Sequence, residues 1–175
     1  MIILAAILFL IYSSFLLGGC PRRGKAFDQW DSTSRPFTIR IIAYEEEGRS
    51  FSASRPYYIF QSNALGPEDW REIMTIQDES RPEIPKEQVR FVNEQIAYVF
   101  MGTKCAVTTD GGRTWFVWDT GKTLPKTILS NHRIIKQVSI AANGSGTMEL
   151  EAERQSQGEM PELRTTDYGY HWNLE

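Results

Sequence analysis

Cysteine and histidine are scarce in this chain, whose 175 residues include two of each. A zinc site needs several ligands at set spacing, and neither His132 nor His171 has a cysteine or a second histidine nearby in the sequence. We therefore expect no metal site and no other cofactor. A disulfide is not expected either. Cys20 is expected to carry a modification, and Cys105 would then have no second cysteine to pair with. Cys105 stands in an apolar run, where a buried small side chain is the expected role.

Other absences narrow the function. The sequence has no phosphate loop of the form Gly-x-x-x-x-Gly-Lys-Ser/Thr and no serine in a Gly-x-Ser-x-Gly elbow. It carries 19 basic and 22 acidic residues, a net charge of -3, and its basic cluster is confined to residues 21–25. Because binding to a phosphate backbone requires a concentrated positive face, nucleic acid is not an expected partner.

One long apolar run lies at the N-terminus. Residues 2–17 read IILAAILFLIYSSFLL, and residues 17–20 read Leu-Gly-Gly-Cys. About 20 apolar residues are needed to span a bilayer, so the run fits the core of a signal peptide better than a membrane helix. The tetrapeptide resembles a bacterial lipobox. This resemblance implies a signal peptide over 1–19, lipidation of Cys20, and a protein anchored in the bacterial cell envelope and facing the periplasm.

A single N-terminal transmembrane anchor is the alternative. No lysine or arginine precedes the apolar run, whereas signal peptides usually carry a positive charge there. Arg22, Arg23 and Lys25 follow the run, and such positive flanks tend to stay in the cytoplasm. This arrangement of charges favours an uncleaved helix.

A polar tether and a single β domain are expected after this segment. The tether is expected over 20–36, where the residues are polar and turn-rich, and the domain over 37–175. Within the domain, short β-rich runs alternate with turn signals, which favours strands. The runs fall into three groups, at approximately 37–77, 89–119 and 134–174.

Two stretches of eight residues share one pattern. Residues 108–115 read TTDGGRTW, and residues 165–172 read TTDYGYHW. Both resemble the Asp-box (bacterial neuraminidase repeat), a β-hairpin turn found in many β-propeller blades. In such a turn an aspartate can accept N–H groups, glycine tolerates positive φ, a threonine hydroxyl can tie the turn, and a tryptophan buries apolar surface. The expected structural residues are Thr108, Asp110, Gly112, Thr114 and Trp115 in the first box and Thr165, Asp167, Gly169 and Trp172 in the second, where His171 replaces the later threonine in a packing or hydrogen-bonding role.

A third, degenerate copy is expected at residues 62–70, which keep serine, glycine and tryptophan but lack an aspartate in register. Trp70, Trp115 and Trp172 are 45 and 57 residues apart, close to the repeat length of propeller blades. The expected fold is therefore all-β, with about three four-stranded antiparallel blade-like units. Because closed propellers usually have about 4–8 blades, we expect an open or incomplete propeller.

The box resemblance implies architecture rather than catalysis. Sialidases carry Asp-boxes, but this chain is too short for their closed frame, and no arginine stands in the motif that clamps the substrate carboxylate. Asp110 and Asp167 are explained by their place in the turn. We therefore expect no enzyme activity, and a sialidase-like glycan-binding protein is kept only as an alternative.

The overall layout resembles the immunity lipoproteins of type VI secretion lipase effectors, with a lipobox, a short tether and one β domain. Those periplasmic proteins bind and block a cognate phospholipase toxin, which implies a protein partner here, either a toxin or an envelope protein. An envelope assembly or structural factor is the alternative. The candidate anchors for a partner are Tyr57, Tyr58, Trp118 and Tyr168, although such side chains more often belong to a core. The candidate recognition loops are residues 78–88 and 153–161, although ordinary solvated connections are the commoner outcome.

Overall fold

Three antiparallel sheets of four strands make up the part of the chain that the structure describes. The structure is a computed structural model that describes residues 24–46, 56–77, 83–125, 132–152 and 162–174. Within those ranges none of the sheets closes into a barrel. The expectation of an all-β fold with three open, four-stranded, blade-like units is confirmed.

The first sheet contains a strand that the sequence did not predict. Its order is β1 (Gly24–Ser34), β2 (Phe37–Glu46), β3 (Pro56–Ser62) and β4 (Arg71–Gln77). The tether expected over 20–36 is therefore wrong for most of its length, because β1 pairs with β2 from Gly24 to Ser34. β1 is an edge strand whose side chains are mostly exposed, and only Trp30 packs against the core. The polar residues of β1 give no strand signal in the sequence, because an edge strand with exposed side chains needs few apolar residues.

The second and third sheets also have four strands, and in each the strands lie side by side in the order of the sequence. The second consists of β5 (Val89–Phe91), β6 (Ala97–Met101), β7 (Lys104–Thr108) and β8 (Phe116–Asp119) in that order. The third consists of β9 (His132–Ile140), β10 (Gly146–Ala152), β11 (Glu162–Thr165) and β12 (Asn173–Leu174), each paired with the next. A short 3-10 helix (Lys86–Gln88) precedes β5, and helix α1 (Thr120–Thr123) follows β8. β8 and β12 are thus edge strands of their sheets.

The second sheet lies between the other two, and β6 shows this most clearly. All five of its residues are buried. Val99 belongs to the core shared with the first sheet, whereas Phe100 belongs to the core shared with the third. Successive side chains of a strand point to opposite faces, so a strand covered on both faces reads as a continuous apolar run.

Hydrogen bonds tie the three sheets together. The Tyr98 hydroxyl donates to the Val138 carbonyl of the third sheet at 3.1 Å. The Lys104 ammonium group donates to the Thr75 carbonyl of the first sheet at 3.0 Å. The second sheet is therefore linked to both neighbours by polar contacts as well as by apolar packing.

Neither of the two helices in the described ranges has the length or the apolar character needed to cross a bilayer. The N-terminal apolar run at residues 2–17 and the lipidation site expected at Cys20 lie outside the described residues. The choice between a lipid anchor and a membrane helix therefore stays a prediction.

Candidate functional site

The first predicted box, residues 108–115, is a turn held by its own side chains. The Thr108 hydroxyl donates to the Asp110 carboxylate at 2.9 Å and accepts the Gly112 N–H at 3.0 Å. The same carboxylate accepts the Thr114 N–H at 3.0 Å and the Thr114 hydroxyl at 2.6 Å. The turn joins the end of β7 to the start of β8, so it fixes how the edge strand of the second sheet leaves the hairpin.

The second box repeats this network with one exchange. The Thr165 hydroxyl donates to the Asp167 carboxylate at 2.7 Å and accepts the Gly169 N–H at 2.9 Å. The His171 N–H reaches Asp167 at 3.0 Å, and its ring Nδ1 lies 2.6 Å from the other carboxylate oxygen. The predicted hydrogen-bonding role of His171 is confirmed, because its ring stands where Thr114 places a hydroxyl.

Both box aspartates are stabilised in their ionised form. Burial raises the pKa of Asp110, but hydrogen bonds from Thr114 and Thr108 outweigh burial and leave the pKa below its usual range. Burial also raises the pKa of Asp167, whereas hydrogen bonds from His171 and Thr165 bring it down to about 2. A carboxyl group that stays ionised at neutral pH has no proton to give as a general acid. This supports a structural role for both residues.

The first box also packs against the sheet before it. Gly112 has a φ of +83°, and a Cβ at this position would lie 2.6 Å from the ring of Phe37. The Trp115 indole N–H donates to the Gly112 carbonyl at 3.1 Å, and its ring meets Phe37 edge-on at 6.3 Å. The Ser62 hydroxyl, at the end of β3, donates to the same carbonyl at 3.3 Å. The box is thus a spacer between sheets as well as a turn.

The expected degenerate box at residues 62–70 follows the third strand of its sheet, as the other boxes do, but it lacks their hydrogen bonds. Ser62 is buried at the end of β3, as Thr108 is at the end of β7. Asn63 accepts the Thr38 N–H at 2.8 Å, while Asp69 pairs with Arg71 at 3.2 Å instead of holding the turn. Without a carboxylate in register, this loop is tied to a neighbouring strand.

A groove opens between β8 and the second box. Its volume is about 540 Å³. Phe116 and Val117 are each 39% exposed there, and the Phe116 ring lies 5.1 Å from the ring of Tyr170. The groove is lined by Lys104, Phe116, Val117, Trp118, Asp119, Lys122, Thr123, Tyr170, His171, Trp172 and Asn173. Two sheets therefore supply its walls.

Lysines outnumber acidic residues among the side chains that line this groove. Lys104 and Lys122 both line it, against one aspartate of the β8 edge, Asp119. The Asp119 carboxylate accepts the Gly121 N–H at 3.0 Å, where it caps α1. Positive charge beside exposed aromatic surface suits an acidic ligand.

The matching junction between the first two sheets is different. There a cavity of about 160 Å³ lies between β4 and the first box. Arg71 and Glu72 on β4 and Arg113 in the box are among its lining residues. The larger groove is thus a property of its own side chains, not a general result of stacking blades.

Three of the four candidate anchors lie in the core, which is the alternative that the sequence favours for them. Tyr57, Tyr58 and Trp118 are buried, with 7%, 0% and 4% of their surface exposed. Tyr168 is partly buried, and its hydroxyl donates to the Ala142 carbonyl at 3.3 Å. Each of these rings packs in or against the core, because apolar content alone does not tell which face of a strand is covered.

The expected recognition loops are only partly described. Residues 78–82 and 153–161 lie outside the described residues. In the remainder of the first loop, Ile84, just before the 3-10 helix, and Gln88, its last residue, are buried.

Sequence reasoning missed Phe116, Val117 and Lys122 as surface residues of a groove. A signal existed in residues 115–118, which are apolar without alternation although the last three of them lie in the edge strand β8. Lys122 belongs to the tripeptide Gly121–Lys122–Thr123, but Phe116 stands where a phosphate loop would have its first glycine.

Cys105 has the role expected of it. It is buried in β7 within the core shared by the second and third sheets. Burial raises the pKa of its thiol to about 12, so the group stays protonated and unreactive at neutral pH.

Comparison with known proteins yields no relative. No family model, no curated protein and no solved structure matches this chain. The resemblance to the Asp-box stays a prediction that rests on the residues of the two turns.

Proposed function

We propose that this protein is a non-enzymatic protein of the bacterial envelope that binds a partner protein in the groove beside β8. The observation that carries the proposal is the exposure of Phe116 and Val117 on an edge strand next to Tyr170. Exposed apolar side chains grouped in a concave site are typical of recognition surfaces. The partner we propose is a periplasm-targeted lipase effector of type VI secretion, which the protein neutralises as an immunity protein.

Two features of the molecule support a binding role. The groove walls come from two sheets whose separation is set by packed cores, so the site is held rigidly and needs little ordering on binding. The box aspartates are engaged by their own turns, which assigns them to the scaffold. A rigid concave site with aromatic walls suits capture of a protruding segment of a partner.

The envelope location is part of the same proposal. A lipid on Cys20 would hold the β domain at the membrane on the periplasmic side, where such an effector acts. Growth with labelled palmitate should label the wild-type protein and leave Cys20→Ala unlabelled. An unlabelled wild-type protein of full length would show an uncleaved N-terminal helix instead.

A competition between sibling strains tests the immunity role. A strain lacking the gene should be killed by siblings with active type VI secretion, and the wild-type gene should restore survival. The variant Phe116→Asp should fail to restore survival because it places a charge on the apolar wall. Lys136→Asp, on the exposed face of the third sheet, serves as the control.

If the deletion strain survives as well as its parent, the immunity role is wrong. A defect in an envelope complex in the same strain would then favour the assembly factor. Restoration by Phe116→Asp as complete as by the wild type would remove the groove from the proposal.

A further inference from the structure

We infer that the groove binds an extended, acidic segment of its partner, which pairs with β8 as a fifth strand of the second sheet. This inference rests on the proposed function and names the chemistry that the site selects. It draws on the backbone of β8, on the side chains beside it and on the charge around it.

One side of the β8 backbone has no strand partner among the described residues. Within them β8 pairs only with β7, with Ala106 opposite Val117. The Thr120 N–H donates to the Thr103 carbonyl, which makes these two residues a hydrogen-bonded pair. Pairs alternate along an antiparallel ladder, so Val117, three residues earlier, turns its N–H and carbonyl away from β7. The Asp119 carbonyl, two residues from Val117, accordingly accepts the Thr123 hydroxyl outside the ladder.

The side chains of β8 leave this edge open. Natural edge strands are usually protected by charged residues or by being very short. Arg71 and Glu72 place charges on β4, the corresponding edge of the first sheet, and β12 has two residues. β8 exposes Phe116 and Val117, and its one charged residue, Asp119, is engaged at the cap of α1. Strand addition is a common way to bind an extended peptide, with side-chain pockets supplying specificity.

The charge of the groove selects an acidic segment. Lys122 is exposed on α1 and Lys104 lines the same groove, in a chain whose net charge is -3. The Lys104 ammonium group donates to the Thr75 carbonyl of the first sheet at 3.0 Å, so the exposed Lys122 is the main source of positive charge for a ligand. The positive charge would therefore attract an acidic segment of the partner to the groove between the second and third sheets.

A peptide experiment tests this chemistry on the full-length protein in detergent micelles. The probe is a fluorescein-labelled peptide of about six residues, the usual length of a strand, alternating valine and glutamate. Fluorescence anisotropy should show binding that is about fivefold tighter than for the peptide alternating valine and lysine, the factor expected when one exposed charge pair changes sign. Equal affinity of the two peptides, or no binding of the acidic one, would overturn the inference.

Paired variants separate backbone pairing from charge. Val117→Pro removes the outward N–H and leaves the β7 ladder intact, so it should abolish binding, while Val117→Ala retains it. Lys122→Glu should weaken binding of the acidic peptide, while Lys86→Glu, an exposed lysine of the 3-10 helix, should not. Far-ultraviolet circular dichroism identifies any variant that fails to fold, and the lysine pair decides the matter if the proline variant unfolds. Unchanged binding in a folded Val117→Pro or in Lys122→Glu contradicts the inference.

Cross-linking in cells distinguishes this inference from the proposed function. A photoreactive phenylalanine analogue at position 116 should capture the partner, and mass spectrometry of the adduct should identify an acidic, extended segment. Capture through a neutral or helical segment would leave the proposed function in place and overturn the inference. If the partner is captured from Leu65, which is exposed in the first sheet's loop, and not from position 116, both are wrong.

Discussion

Each of the two box turns depends on a few side chains that bind other groups of their own loop. Thr108 and Asp110 supply the hydroxyl and the carboxylate in the first box, and Thr165 and Asp167 supply them in the second. These contacts span at most four residues of sequence, so they form from local chemistry. Local contacts of this kind are the ones that residue patterns predict best.

Gly112 combines a conformational and a packing requirement. Its φ is +83°, and the ring of Phe37 fills the space that a Cβ would need. Gly112→Ala should therefore lower the free energy of unfolding by roughly 2–4 kcal/mol, through backbone strain and overpacking. Urea unfolding measures this change. Gly66→Ala is the control, because a Cβ there would meet its nearest neighbour at 3.9 Å, and a loss as large in the control would count against the explanation.

Asp167 should give the protein a stability that depends on acid pH. Its pKa is about 2 in the folded chain, against an ordinary value of 3.8. Because the folded value is the lower one, the ionised group stabilises the fold above about pH 4, and this contribution is lost as pH falls through about 2. The free energy of unfolding should fall more steeply over this range in the wild type than in Asp167→Asn. Equal slopes in urea unfolding at several acid pH values would show that the hydrogen bonds of Asp167 contribute nothing.

At the scale of the strand, burial of one or both faces decides how visible an element is in the sequence. β6 is apolar throughout because sheets cover both of its faces. β1 is polar because it is an edge strand, and its sequence predicts a tether instead. How easily each strand is recognised from its residues therefore depends on how many of its faces the neighbouring sheets cover.

Trp30 tests whether β1 belongs to the folded domain. It is partly buried against the first core, whereas Phe27 on the same strand is 48% exposed. Trp30→Ala should lower the free energy of unfolding by about 1–3 kcal/mol, less than a fully buried tryptophan because part of its surface is already in water. Phe27→Ala should change it little. Chemical denaturation measures the free energy of unfolding of both variants. Equally small effects would show that β1 does not contribute to the folded domain and acts as a tether.

At the scale of the whole molecule, two cores share the second sheet. Met101 lies in the first core and Met148 in the second, and both are fully buried. A repeat architecture of this kind gains stability from its interfaces as well as from each repeat. The sheets should therefore unfold together.

Met101→Ala and Met148→Ala should each lower the midpoint of one shared unfolding transition, by about 2–4 kcal/mol in free energy. Tryptophan fluorescence and far-ultraviolet circular dichroism should follow the same curve in both variants. Thr147→Ala, next to Met148 on the opposite face of β10, should have little effect. Two separate transitions, with one variant shifting each, would show that the sheets fold independently.

Composition and the two boxes were sufficient to predict the all-β class, the three units and the residues of the turns. Those properties come from contacts within a few residues or from the average pattern of strands. The burial of Tyr58 and Trp118 and the groove beside β8 were decided by the stacking of the sheets, whereas β1 takes its position by pairing with β2. Stacking brings together residues that are far apart in the chain, such as Phe116 and Tyr170, and no local pattern records which faces meet.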